Sequence, residues 1–151
     1  MGSSNRHQTK LVENEQALAI IEEILKEGNS VKIAVRGNSM APALIDGKDS
    51  VTLEPVAMQK RDLSVGDVIL FRYKGTFLMH RIVAINSRGK ASGAEKIMIT
   101  TKGDALATSE TISSEDVLAV ARFKRHNRIE LLLRRIEMSR YVRFLQNVLK
   151  K

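Results

Sequence analysis

Residues 67–85, DVILFRYKGTFLMHRIVAI, constrain the fold more than any other part of the chain. Two runs rich in β-branched and aromatic residues, 67–73 and 76–85, are separated only by Lys74-Gly75. That spacing closes a tight hairpin and leaves no room for a helix between the runs. Comparable runs recur at 31–35 (VKIAV), 50–56 (SVTLEPV), 96–104 (KIMITTKGD) and 117–125 (VLAVARFKR). A chain of 151 residues has material for one core rather than two. The body is therefore expected to be mainly β, a small and mostly antiparallel domain.

Helical spacing appears only at the two ends. Residues 12–27 place Ala17, Ile20, Ile21, Ile24 and Leu25 at helical intervals, with acids early and Lys26 late, and Gly28-Asn29 stops the helix. Residues 128–149 return to that period as an amphipathic segment, with Ile129, Leu132, Leu133, Ile136, Tyr141, Phe144, Leu145 and Val148 toward one side and arginines opposite. The organisation read from the sequence is a polar, flexible start over 1–11, a domain over 12–126 that includes the N-terminal helix, and a basic C-terminal helix over 127–151. Residues 122–151 hold ten Lys/Arg against two Glu, which accounts for the whole formal excess of +8. The stretch 87–96 reads as a loop.

The composition removes several kinds of chemistry. Without cysteine there is no disulfide framework, thiolate metal site or cysteine nucleophile. No apolar run reaches eighteen residues, and the start lacks the basic-then-apolar layout of a signal peptide. A cytoplasmic location is the default expectation, with the basic helix as a route to peripheral membrane contact. Three settings for that helix stay open: packing on the β domain with arginines toward water, contact with a membrane or partner protein, and contact with nucleic acid. The last is least favoured, because aromatics make up 4% of the chain and no second helix follows the first to form a helix-turn-helix. Oligomeric state is left open.

Candidate chemistry begins at VRGNSMAPALIDGKD, residues 35–49. An apolar run stops in a Gly37-Asn38-Ser39 turn, which can hold the Ser39 hydroxyl at the edge of a rigid sheet. A serine nucleophile needs a general base, and the base needs a group to orient it. Of the three histidines, His7 and His126 lie in polar surroundings, whereas His80 sits inside an apolar strand where an unsatisfied imidazole is costly. Taken singly, each residue has an ordinary reading: a solvated turn serine, a hydrogen-bonded core histidine, a turn aspartate at Asp104, a core methionine at Met40 and a loop-fixing proline at Pro42.

Taken together, the segments resemble a known family. GNSMAPALIDG resembles the serine box of type I signal peptidases and of the related LexA-type self-cleaving repressor domains. SVGDVILFRYKG, FLMHRIVAI and TTKGDALATSET are similar to the boxes that follow in those proteins, in the same order, across residues 33–121. His80-Arg81 resembles the serine/histidine branch found in archaeal, endoplasmic-reticulum and sporulation-type signal peptidases. The resemblance implies a signal-peptidase/LexA-like antiparallel β domain, here without a transmembrane anchor, that acts as a serine endopeptidase on a precursor or leader peptide and needs no cofactor. It implies Ser39 as nucleophile, His80 as general base and Asp104 as orienting acid, with Glu110 as the substitute. For such a pair, activity rises as His80 loses its proton. The Ser39 N–H is the implied oxyanion donor, and Gly37, Asn38, Met40 and Pro42 would line the substrate cleft. Gly37 stands where many signal peptidases carry a serine hydroxyl, and Asn38 is the open candidate to replace it. The alternative function is a non-catalytic module of the same fold that binds an extended peptide by strand addition.

Overall fold

The computed structural model describes residues 5–88 and 96–149. Seven strands form one curled antiparallel sheet: β1 (Val31–Ala34), β2 (Ser50–Pro55), β3 (Val68–Tyr73), β4 (Thr76–Arg88), β5 (Lys96–Lys102), β6 (Ser109–Ser113) and β7 (Val117–Arg122). Their spatial order is β1-β2-β7-β3-β4-β5-β6, so the last strand of the chain is inserted between the second and the third. Helix α1 (Asn5–Lys26) precedes the sheet and α2 (Arg128–Leu149) follows it. The mainly β character and both helices agree with the sequence reading.

The hairpin at the centre forms because its turn suits it. Lys74 and Gly75 have φ of 48° and 79°, the left-handed pair whose twist matches that of the flanking strands. This pairs Ile69 with His80 and Phe71 with Leu78. Alternation then sends residues to two faces. Ile69, Phe71, Ile82, Ile99, Ile112 and Val120 pack together on one face. On the other, Leu53, Val68, Leu70 and Ala119 pack with Met40 and Leu44, and α1 covers them through Leu25 and Ile21.

Three sequence expectations change. The helix expected at 12–27 begins at Asn5, so residues 5–11 are helical rather than a flexible start. Ile20, expected on its buried side, is exposed. A strand that sequence reading left out, β6, forms one edge of the sheet and pairs with β5 from Met98↔Ser113 to Lys102↔Ser109. The loop expected at 87–96 is shorter, since β4 runs through Arg88 and β5 starts at Lys96; its residues 89–95, and the apolar side chains expected at Tyr141, Phe144, Leu145 and Val148, lie outside what is described. Among the described residues no helix is long and apolar enough to cross a membrane.

Gly66-Asp67, at the entry to β3, is structural. Asp67 is buried and takes Arg61 Nη2 at 2.7 Å, Arg61 Nη1 at 3.0 Å and the Ser64 N–H at 2.9 Å. Burial pushes its carboxyl up, but the Arg61 and Ser64 hydrogen bonds, with the positive charges of Arg61 and Arg122, outweigh that and hold it below the ordinary carboxylate value. A depressed folded value means the stabilisation is fully present above the unfolded value, about 3.9, and is lost as pH falls through the folded one. Asp67→Asn is therefore expected to lower unfolding free energy by about 1–3 kcal/mol at neutral pH. In urea unfolding followed at several pH values, the gap between variant and wild type should narrow on acidification. A gap independent of pH would show that the carboxylate's charge is not what matters.

Candidate active site

Four elements converge on His80. It lies on β4, is 3% exposed, and meets Phe71 edge-on with ring centroids 6.1 Å apart. Its neighbour two residues on, Ile82, faces Thr101 of β5, and Thr101 faces Glu110 of β6. Residues directly opposite in a sheet share a face, and so do residues two apart along a strand. His80, Thr101 and Glu110 are thus brought to the same side by register alone. His80 Nδ1 lies 2.9 Å from Glu110 Oε2, and the Thr101 hydroxyl donates to the same oxygen at 3.0 Å. An ionised carboxylate only accepts, so against one Nδ1 is the donor, and Nε2 is the ring nitrogen that this contact leaves free.

Asp104, expected to orient His80, does not touch it. Its two oxygens take Arg81 Nε and Nη2, each at 2.8 Å, in a bidentate pair. Arg81 follows His80 in an extended strand and so points to the opposite face, carrying Asp104 with it. The same guanidinium donates to the Gly66 carbonyl at 2.9 Å, and the hydrogen bond to Asp104 raises the Arg81 pKa further above its ordinary value. The substitute acid, Glu110, is the one at the imidazole.

Ser39 comes from the other end of the sheet. After β1 the chain turns at Gly37, whose φ is 78°, and Ser39 emerges half-buried. Its carbonyl accepts the Ala105 N–H at 2.9 Å. It also packs directly on Gly103: a Cβ built there would lie 2.6 Å from the Ser39 oxygen. Gly103 follows directly on the end of β5, two residues beyond Thr101. The Ser39 backbone therefore packs against the chain just beyond β5, at Gly103 and Ala105. Among the described residues no hydrogen bond joins Ser39 to His80, and no acceptor within the chain takes the Ser39 N–H.

The remaining residues of the serine turn divide. Met40, expected to line a cleft, is 2% exposed and packs in the core with Leu44 and Leu53, so its thioether is filler. Asn38 is exposed, with its side-chain oxygen leaning toward the Asp46 N–H at 3.5 Å. A cleft of about 430 Å³ opens beside Asn38, between the 45–48 turn and α2. Pro42 offers its carbonyl to Arg134 Nε of α2 at 2.8 Å. Arg134 also pairs with Asp49, and Lys48 pairs with Glu137 at 2.6 Å, so α2 is clamped to the loop that follows the serine.

Of the three settings open for α2, this clamp argues against packing of its apolar stripe on the β domain with arginine toward water. Arg134 turns inward, while Ile129, Leu132, Leu133 and Ile136 stay exposed. Sequence reasoning also passed over Thr101 and Gly103. The signal for Thr101 was present: it stands in phase with the apolar Ile97 and Ile99 of β5, where a polar side chain needs a buried partner.

No family model matches the chain, and no curated protein matches it.

Proposed function

We propose that this chain is a serine endopeptidase of the signal-peptidase type, in which Ser39 attacks a peptide carbonyl and His80 acts as general base. The observation that carries the reading is the Thr101–Glu110–His80 chain of hydrogen bonds, with Ser39 packed on Gly103 just beyond the β5 strand that supplies Thr101. A carboxylate on Nδ1, itself fixed by a second donor, is the arrangement that orients a histidine serving as a base.

In the first step the Ser39 Oγ–C bond forms as the hydroxyl proton passes to His80 Nε2, and the former carbonyl oxygen becomes an oxyanion. The Ser39 N–H is the donor available to it. Collapse of the intermediate breaks the C–N bond, with the imidazolium protonating the leaving amine. Water then attacks the acyl-serine with the same base, releasing the new carboxyl end and restoring the hydroxyl. Glu110 stabilises the imidazolium formed in each half-reaction and keeps its tautomer.

The test is covalent labelling with a phosphonate serine probe, with the modified residue located by mass spectrometry. Wild type is expected to carry the adduct on Ser39, and both Ser39→Ala and His80→Ala to carry none. Equal labelling of wild type and Ser39→Ala, or a wild type that takes no adduct, would remove the peptidase reading. The latter result would favour a peptide-binding module that uses the open edge at β1 or β6.

A further inference from the structure

We infer that α2 is a membrane-surface helix, whose outward face seats on a bilayer carrying anionic headgroups. The inference stands on the orientation of the helix and does not depend on the peptidase reading.

Ile129, Leu132, Leu133 and Ile136 are spaced i, i+3, i+4, i+7, which makes them one stripe, and they are 71%, 58%, 57% and 48% exposed. Helices of water-soluble domains turn such a stripe inward. This one is held the other way by its polar side, through Arg134 to the Pro42 carbonyl and Asp49, and through Glu137 to Lys48. The charges are sorted accordingly. Both acids of the helix are engaged, Glu137, one turn beyond Leu133 on the flank of the stripe, by Lys48, and Glu130 by the Asn127 N–H, His126 and Lys124. Exposed arginines border the stripe and extend it: Arg128 and Arg135 at its margin, Arg140 and Arg143 in line beyond Ile136.

An apolar strip bordered and extended by exposed arginines, with both acids of the helix held in ion pairs, matches the boundary between acyl chains and anionic headgroups. Other occupants fit less well. A second copy joined by a two-fold axis would bring the cationic rim against itself. A nucleic acid would satisfy the arginines and leave four large apolar side chains in water. Lying in the interface, the helix would hold the Pro42–Asp49 loop on its far side, about one helix diameter, ~10 Å, from the lipid.

The full chain should co-sediment with vesicles of phosphatidylcholine containing phosphatidylglycerol and not with phosphatidylcholine alone, and raised salt should weaken the binding. Leu132→Gln with Leu133→Gln alters only exposed side chains, so the circular dichroism spectrum and melting point should hold while partitioning falls at least tenfold. Arg135→Gln with Arg140→Gln should also reduce binding to the anionic vesicles. The inference is overturned by failure to co-sediment, or by binding that the leucine pair leaves unchanged. It is equally overturned by a dimer that the leucine pair dissociates, or by duplex DNA binding in a chain that ignores vesicles.

Discussion

Glu110→Gln is expected to slow phosphonate labelling of Ser39, and hydrolysis of any peptide substrate, by about 10²–10⁴-fold, the range seen when a triad acid becomes its amide. The carboxylate accepts from both His80 Nδ1 and the Thr101 hydroxyl. An amide in its place can turn its NH₂ toward Nδ1, which fixes the imidazole with its proton on Nε2 and removes the base. The fold should tolerate the change, because glutamine keeps the volume and can still bond both partners. Asp104→Asn is the contrasting variant. It weakens the bidentate pair with Arg81, on the other face of β4, so its effect should fall mainly on thermal stability and only modestly on labelling. If Asp104→Asn were the more damaging change for labelling, the assignment of the orienting acid to Glu110 would be wrong.

Gly103→Ala should be nearly as harmful by a different route. The backbone at Gly103 lies outside the left-handed region, so alanine meets no conformational penalty there and the cost is steric. The added Cβ would meet the Ser39 carbonyl oxygen at 2.6 Å and Leu106 Cδ1 at 2.9 Å. Leu106 is partly exposed and can swing aside. The Ser39 carbonyl is main chain, tied to the Ala105 N–H, and can yield only by moving Ser39. Overpacking of this kind costs roughly 1–3 kcal/mol, with a fall in melting temperature of about 2–4 °C per kcal/mol in a chain of this size. Labelling should drop by at least about a hundredfold, since displacement by an ångström is enough for such losses. A variant that melts lower yet labels at the wild-type rate would show that this contact does not position Ser39.

The sequence was most legible where local chemistry and tertiary structure agree. Lys74-Gly75 can hardly be other than a hairpin turn, and the alternation on both sides of it names which residues share a face. His80 was recognisable because an imidazole within an apolar strand must find a partner. The partner was not recognisable, because β6 offers no apolar phase: in Ser109–Ser113 only Ile112 is hydrophobic and buried. An edge strand of that composition looks like a loop, and its glutamate looks solvated, so Asp104 in the neighbouring Lys-Gly-Asp turn drew the role by resemblance. Strand pairing with β5 is what turns Glu110 toward the histidine, and pairing partners are not written in local pattern. The orientation of α2 was hidden for a related reason. Periodicity gives the angle between apolar and basic faces, whereas Asp49 and the Pro42 carbonyl, more than eighty residues away in sequence, decide which face turns inward.

The position of β7 also bears on when the molecule can first work. Until Val117–Arg122 leaves the ribosome, the nascent chain holds only two locally paired pieces, β1 with β2 and the meander β3 to β6. The first carries Ser39, and the second carries His80 and Glu110. β7 joins them by pairing Leu53 with Ala121 on one side and Ile69 with Val120 on the other, contacts of high sequence separation that form late in folding. On the peptidase reading proposed above, Ser39 and His80 thus sit on segments that β7 ties into one sheet, and activity is expected only after the final strand has paired.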